Sequence, residues 1–110
     1  MLKLTSATRI FCATKPADFR KGIDGLNHYC KTLTAANIDT KSGALIVFIN
    51  RAKTMIRVLS YDGTGFWLAT KRLSQGRFTT WPTSSLQVSS CPAEQLLHIL
   101  QHMPKSQKKV

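Results

Sequence analysis

Residues 45–49 read Leu-Ile-Val-Phe-Ile without a polar break, the pattern of a strand covered on both faces of a sheet. Upstream, Arg-Ile-Phe-Cys-Ala at 9–13 predicts a short strand that ends at Thr14-Lys15-Pro16. Pro16 suits a first helical turn, where its missing N–H costs nothing. From there Phe19, Ile23, Leu26, Cys30 and Leu33 fall at steps of four and three, the apolar stripe of a helix of roughly four turns. Gly22 and Gly25 interrupt that stripe, and each costs about 1 kcal/mol relative to Ala. They predict the close approach of another backbone or a ligand, or a break in the helix. Asn50-Arg51-Ala52-Lys53 reads as a hairpin loop, followed by strands over Thr54 to Tyr61 and Phe66 to Leu73. Asp62-Gly63 between them is a type I′ turn signal. A weak strand follows around Leu86–Ser89. Pro92 then opens a last helix, with Cys91 as N-cap and Leu96, Leu97, Leu100 and Met103 as its apolar face. The order β-α-β-β-β-(β)-α predicts a single α+β domain over residues 8–103, an antiparallel β-meander with two helices packed on the sheet. Residues 104–110 read as a basic disordered tail.

Composition narrows the classes of function. A chain of 110 residues, 43% of them hydrophobic, suits one domain with a real core. Sixteen Lys and Arg against five Asp and Glu give a net charge of +11, which points to a polyanionic partner, nucleic acid ahead of a membrane surface. So few carboxylates disfavour an acid/base hydrolase or a carboxylate-bound metal enzyme. A recombinase core with three converging carboxylates needs a larger fold. Cys12, Cys30 and Cys91 are odd in number and far apart, with no CxxC pair. Neither a zinc ribbon nor a disulfide framework is expected, but three reduced, mostly buried thiols. No apolar run reaches the ~18 residues of a membrane span, and Arg9 interrupts any signal-peptide core. The expectation is a soluble, cytoplasmic protein.

The cations fall in two clusters. Arg51, Lys53, Arg57, Lys71, Arg72 and Arg77 stand within 51–77 against Asp62 alone, interleaved with Tyr61, Phe66, Trp67, Phe78 and Trp81. Cations that neutralise phosphates beside aromatic faces that stack on bases are the ingredients of nucleic-acid binding. Phe66 and Phe78 read mainly as packing residues, while Trp67 and Trp81 are open to either role. Arg57, Lys71 and Arg72 are expected near one another on one surface. The second cluster is Lys15, Arg20 and Lys21 at the start of the first helix, where a phosphate can bind. Its competing reading is pairing with Asp18 and Asp24 on an exposed face. His98 and His102 lie one helical turn apart, with Glu94 one turn earlier, but no third ligand makes a metal site. No catalytic residue and no cofactor are expected.

Four blocks of this chain together resemble a known family. They are Ala13-Thr-Lys-Pro-Ala-Asp18-Phe-Arg20-Lys21-Gly22-Ile-Asp24-Gly25-Leu26, then Leu45-Ile-Val-Phe-Ile-Asn-Arg51, then Tyr61-Asp62-Gly63-Thr-Gly-Phe-Trp-Leu68. The fourth runs Lys71-Arg72-Leu73, Gly76-Arg-Phe78 and Trp81-Pro82. The sequence is similar to the small TnpB protein, the second open reading frame of insertion sequence 66 elements, and not to the RNA-guided nuclease of the same name. The match covers about residues 9–103. Family members often carry an acidic residue after the Lys-Arg-Leu triplet, Trp before the Asp-Gly turn and Thr before the helix-opening Pro. Here Ser74, Tyr61 and Cys91 stand there. The resemblance implies a bacterial mobile-element protein that assists a separate transposase in transposition, without a catalytic residue of its own. The leading expectation is a non-enzymatic accessory factor of DNA recombination that binds duplex DNA without sequence preference. The alternatives are a module that docks on the transposase, and a small nuclease using Asp18, Asp24 and Asp62 around a divalent metal.

Overall fold

A computed structural model describes residues 7–33 and 38–101. His102, Met103 and the tail 104–110 therefore lie outside the described residues. The elements are β1 (Ile10–Ala13), α1 (Ile23–Thr32), β2 (Leu45–Ile49), β3 (Met55–Tyr61), β4 (Phe66–Arg72), β5 (Val88–Ser90) and α2 (Ala93–Leu100). The strands form one five-stranded sheet in the order β4-β3-β2-β1-β5. As the sequence predicts, the fold is α+β and the sheet is largely antiparallel, with β2, β3 and β4 as a meander. One pair departs from that pattern: β1 runs parallel to β2, with Ile10 opposite Leu45 and Cys12 opposite Val47. The reason is the helix between them. A chain that leaves β1, forms α1 across the sheet and returns beside β1 must return parallel.

The two helices cover opposite faces. Ile10, Cys12, Leu45, Val47, Ile49, Ile56 and Val58 pack with Leu96 and Ile99 of α2. On the other face Ile46, Phe48 and Leu59 pack with Leu26, Cys30 and Leu33 of α1 and the residue after it. Period-two alternation sends neighbours along each strand to opposite cores, and every residue of β2 is buried. The unbroken apolar run at 45–49 is thereby explained.

Helix α1 starts at Ile23, about one turn after Phe19, where the apolar stripe begins, with Gly22 as its N-cap. Residues 14–22 instead form a loop. Ala17 N–H donates to Ile49 O at 2.9 Å, and Asp18 Oδ1 accepts the Arg20 N–H at 3.0 Å. Phe19 still packs on the α1-side core, so the spacing identified the buried residues but not the backbone that carries them. The break falls at Gly22, whereas Gly25 lies inside the first turn of α1, against the expectation of a break or a close backbone approach there. A Cβ at Gly25 would meet the side chain of Lys21 first, at 3.0 Å, and one at Gly22 would meet nothing within 4 Å. The nearest neighbour is thus a side chain and not another backbone.

The turns also differ from expectation in detail. Four residues (62–65), not two, separate β3 from β4, because Tyr61 pairs with Phe66. Gly63 takes φ +102°, a conformation that favours glycine. In α2 the N-cap is Pro92 rather than Cys91, and Leu96 and Ile99 form the buried face while Leu97 is 40% exposed. That face runs through Leu96 and Ile99, three residues apart, with Leu100 half-buried beside them.

Candidate nucleic-acid interface

Topology brings the two cationic clusters together. Strands β1, β2 and β4 point the same way, so their carboxyl ends, the start of β3 and the β2–β3 turn share one end of the sheet. The loop after β1 brings Lys15, Arg20 and Lys21 there, and the β2–β3 turn brings Arg51 and Lys53. Lys71 and Arg72 close β4, and Arg77 follows in the next loop. Backbone bonds knit these segments: Ala17 N–H to Ile49 O at 2.9 Å, Leu73 N–H to Thr54 O at 2.9 Å and Phe78 N–H to Lys53 O at 2.8 Å. Helix α1 begins at this end. Helix α2 finishes at it, where Leu100 O accepts a bond from Lys71 Nζ.

Carboxylates are scarce there. Asp24 lies in the first turn of α1, and Asp18 is occupied by Arg20. The Arg20 Nε reaches Asp18 Oδ1 at 3.0 Å and its Nη2 reaches Oδ2 at 2.9 Å, the only ion pair among the described residues. That guanidinium bond, with the Arg20 backbone N–H, holds the Asp18 carboxyl well below the usual carboxylate range. The opposite end of the sheet carries Arg9, Lys31 and Lys41 with Asp39, Asp62 and Glu94, a balanced set.

Arg57, Lys71 and Arg72 do not share a face. Arg57 lies opposite Thr70, whereas Ile56 lies opposite Lys71, and alternation sends Arg57 and Arg72 to the α1 side and Lys71 to the α2 side. Arg57 is half-buried. Its Nη1 donates to Phe19 O at 2.8 Å and Lys21 O at 3.1 Å, and its Nε to Thr70 Oγ1 at 3.2 Å. Its guanidinium also stacks 4.8 Å from the Phe19 ring centre. Arg57 thus braces the loop that carries Arg20 and Lys21, using its donors inside the protein.

The tryptophans separate. Trp81 is half-buried against the α2-side core, and its Nε1 donates to Ala13 O at 3.0 Å. Trp67, 48% exposed, belongs to the far end, where its Nε1 donates to Asp62 Oδ2 at 2.8 Å. Phe78 is buried and Phe66 half-buried, as packing residues. Asp62 also accepts the N–H groups of Thr64 and Gly65 through Oδ1. The Thr64 N–H, then the indole and the Gly65 N–H, hold its carboxyl well below the usual range. Asp62 therefore stands at the other end of the sheet from Asp18 and Asp24. No group of three His, Cys, Asp or Glu able to hold a metal ion occurs among the described residues, and His102 lies outside them.

Between the loop after β1 and the β2–β3 turn lies a cleft of about 450 Å³, lined by Pro16, Ala17, Asp18, Phe19, Arg20, Asn50, Arg51 and Ala52. Asn50, which charge and pattern do not single out, builds this wall. Its Oδ1 accepts the Thr54 and Met55 N–H groups at 2.9 and 3.0 Å, and its Nδ2 donates to Thr54 Oγ1 at 3.0 Å. Lys53 takes φ +62° in the same turn. Asparagine opening a loop is the signal that was available. All three cysteines are buried and free. Burial pushes Cys30 up to about 11 and raises Cys12 and Cys91, so none is a ready nucleophile. No helix among the described residues is long and apolar enough to cross a membrane.

Comparison with known proteins leads to the same family. The chain is 32% identical over 94 residues to the uncharacterized protein y4jC of Sinorhizobium fredii, covering 86% of this chain and 79% of that one. It is 31% identical over 100 residues to y4hO of the same organism, covering 91% and 84%. No solved structure matches it. The residues that carry the resemblance are largely punctuation of the fold: Gly22 caps α1, Asp62 and Gly63 shape the β3–β4 turn, and Gly76 takes φ +79°. Residues 8–109 match the IS66 Orf2-like proteins, and the chain belongs to that family of insertion-sequence accessory proteins, TnpB of the IS66 elements.

Proposed function

We propose that this protein assists transposition as a non-enzymatic factor that binds duplex DNA through the cations at the carboxyl end of its strands. The observation that carries the reading is their convergence. Lys15, Arg20 and Lys21 come from one loop, Arg51 and Lys53 from a turn, Lys71, Arg72 and Arg77 from the end of β4 and beyond. Fold topology alone unites them, with Asp24 as the one nearby carboxylate not already paired. Such a cluster neutralises phosphates and reads no bases, so little sequence preference is expected. The transposase of the same element is the partner this factor would serve.

The test is a titration of duplex DNA across a salt series. For Z neutralised phosphates the logarithmic slope is about −0.9Z. Replacing both Arg51 and Arg72 by Ala should flatten it by one to two units if both touch phosphate. No binding at ~50 mM salt would sink the reading.

A second reading, docking on the transposase, draws support from the far end and the sheet edge. Strand β4 pairs only with β3, and Trp67 on it is exposed with its indole oriented by Asp62. An oriented, exposed tryptophan is a common anchor of protein interfaces. Loss of transposase binding on Trp67→Ala, with DNA binding unchanged, would favour that role.

A further inference from the structure

The cleft beside Arg51 has walls that duplex phosphates do not need. Pro16, Phe19 and Ala52 give it apolar surface, while Arg20 and Arg51 bring two guanidinium groups to the same recess. A row of phosphates on a rigid duplex is met by exposed cations and makes no use of apolar patches inside a polar recess. An unpaired nucleotide has both parts to offer, a base with a π face and a phosphate for a guanidinium.

Phe19 is held ready for such a base. The Arg57 guanidinium lies 4.8 Å from its ring centre and also holds the Phe19 carbonyl at 2.8 Å, so the side chain is ordered before any ligand arrives. The charges suit a phosphate. Asp18 and Arg20 neutralise each other in their two-point pair, whereas Arg51 has no carboxylate partner among the described residues. The Asn50 amide oxygen and one of its two N–H groups are already occupied by Thr54 and Met55, which leaves no acceptor and a single donor, too little to pair with a base edge at two points. We propose that this cleft holds an unpaired nucleotide of single-stranded DNA, its base against Phe19 and Pro16 and its phosphate on Arg51, without base preference. The proposal rests on the DNA-binding reading above and adds that the preferred DNA is unpaired.

The experiment uses a mixed-sequence oligonucleotide of about 12 nucleotides, a length that spans a typical single-strand site. It carries one 2-aminopurine and is titrated with the full chain both single-stranded and annealed, at several salt concentrations. The single strand should bind about fivefold or more tightly than the duplex, the gain from one base stack, and its 2-aminopurine emission should be quenched. Arg51→Gln should flatten the single-strand salt slope by about 0.7. Ala52→Leu narrows the cleft from an exposed turn without changing charge. It should abolish both the single-strand preference and the quenching while the duplex slope stays that of the parent. Salt-dependent duplex binding with no single-strand preference, or with unquenched 2-aminopurine, overturns the cleft assignment and leaves the DNA-binding reading standing. Absence of binding to either form at ~50 mM salt removes both. Tighter binding of an RNA of the same sequence would overturn the assignment to DNA.

Discussion

Replacing Arg57 by Met keeps an unbranched apolar stem and removes every polar contact that this side chain makes with the loop at 19–21. Three hydrogen bonds are lost, to Phe19 O at 2.8 Å, Lys21 O at 3.1 Å and Thr70 Oγ1 at 3.2 Å, together with the stack on Phe19. A bond from a charged donor contributes about 1.5–3 kcal/mol, and an exposed cation–π contact about 0.5–1 kcal/mol. The site is half-buried, so water recovers part of each carbonyl bond, and the net cost should be about 2–3 kcal/mol. In a domain of roughly this size, 1 kcal/mol moves Tm by about 4–8 °C. A fall of about 10 °C or more is expected for Arg57→Met, followed by far-UV circular dichroism. Arg57→Lys keeps the charge but cannot reach two carbonyls and a hydroxyl with one ammonium in that fork, so it should recover less than half of the loss. A Tm for Arg57→Met within about 2 °C of the parent would refute the brace, and Arg57 would return to the pool of phosphate contacts.

Asp62 should make stability depend on acid pH. Its carboxylate gains the N–H groups of Thr64 and Gly65 and the Trp67 indole on folding, which lowers its folded pKa. The stabilisation is therefore present above the unfolded value near ~3.9 and is lost as pH falls through the folded one. Asp18 acts with the same sign through Arg20. Tm should drop between pH ~5 and ~2, less steeply in Asp62→Asn, and superimposable curves for parent and variant would exclude the turn as a contributor. Trp81→Phe removes the donor to Ala13 O and should cost about 1 kcal/mol in urea unfolding while leaving the DNA salt slope unchanged. A changed slope with unchanged stability would return Trp81 to the interface.

Much of the fold was legible because the strands follow burial. The run at 45–49 and the Asp62-Gly63 turn each announced their element through side-chain pattern alone. What the pattern could not reveal was backbone direction and handedness of face. Phe19 has the spacing of a helical residue and packs where a helical residue would, but from a loop tied to Ile49, Arg57 and Asp18. The ties to Ile49 and Arg57 join residues far apart in the chain, and no local window contains them. The same limit hid Arg57. In sequence it is one more cation among Arg51, Lys53, Lys71 and Arg72, and only the register that sets it opposite Thr70 and beneath the loop turns it inward.

The candidate site shows the complementary effect, in which topology joins what the sequence kept apart. Residues 15–21 and 51–77 read as two separate cationic clusters, one at a helix start and the other on a hairpin. The parallel pairing of β1 with β2 brings them to one end of the sheet. Were β1 antiparallel to β2, the loop after β1 would leave from the far end, beside Asp62, and Lys15, Arg20 and Lys21 would stand about one strand length from Arg51. A strand of five residues spans about 17 Å, further than the Debye length of about 8 Å at physiological salt. The two clusters would then act as separate weak sites. With the crossover in place they adjoin, close enough to raise one another's local potential and to meet neighbouring phosphates of a single strand. The α1 crossover, which the hydrophobic pattern left undirected, is thus the feature that concentrates charge in this fold.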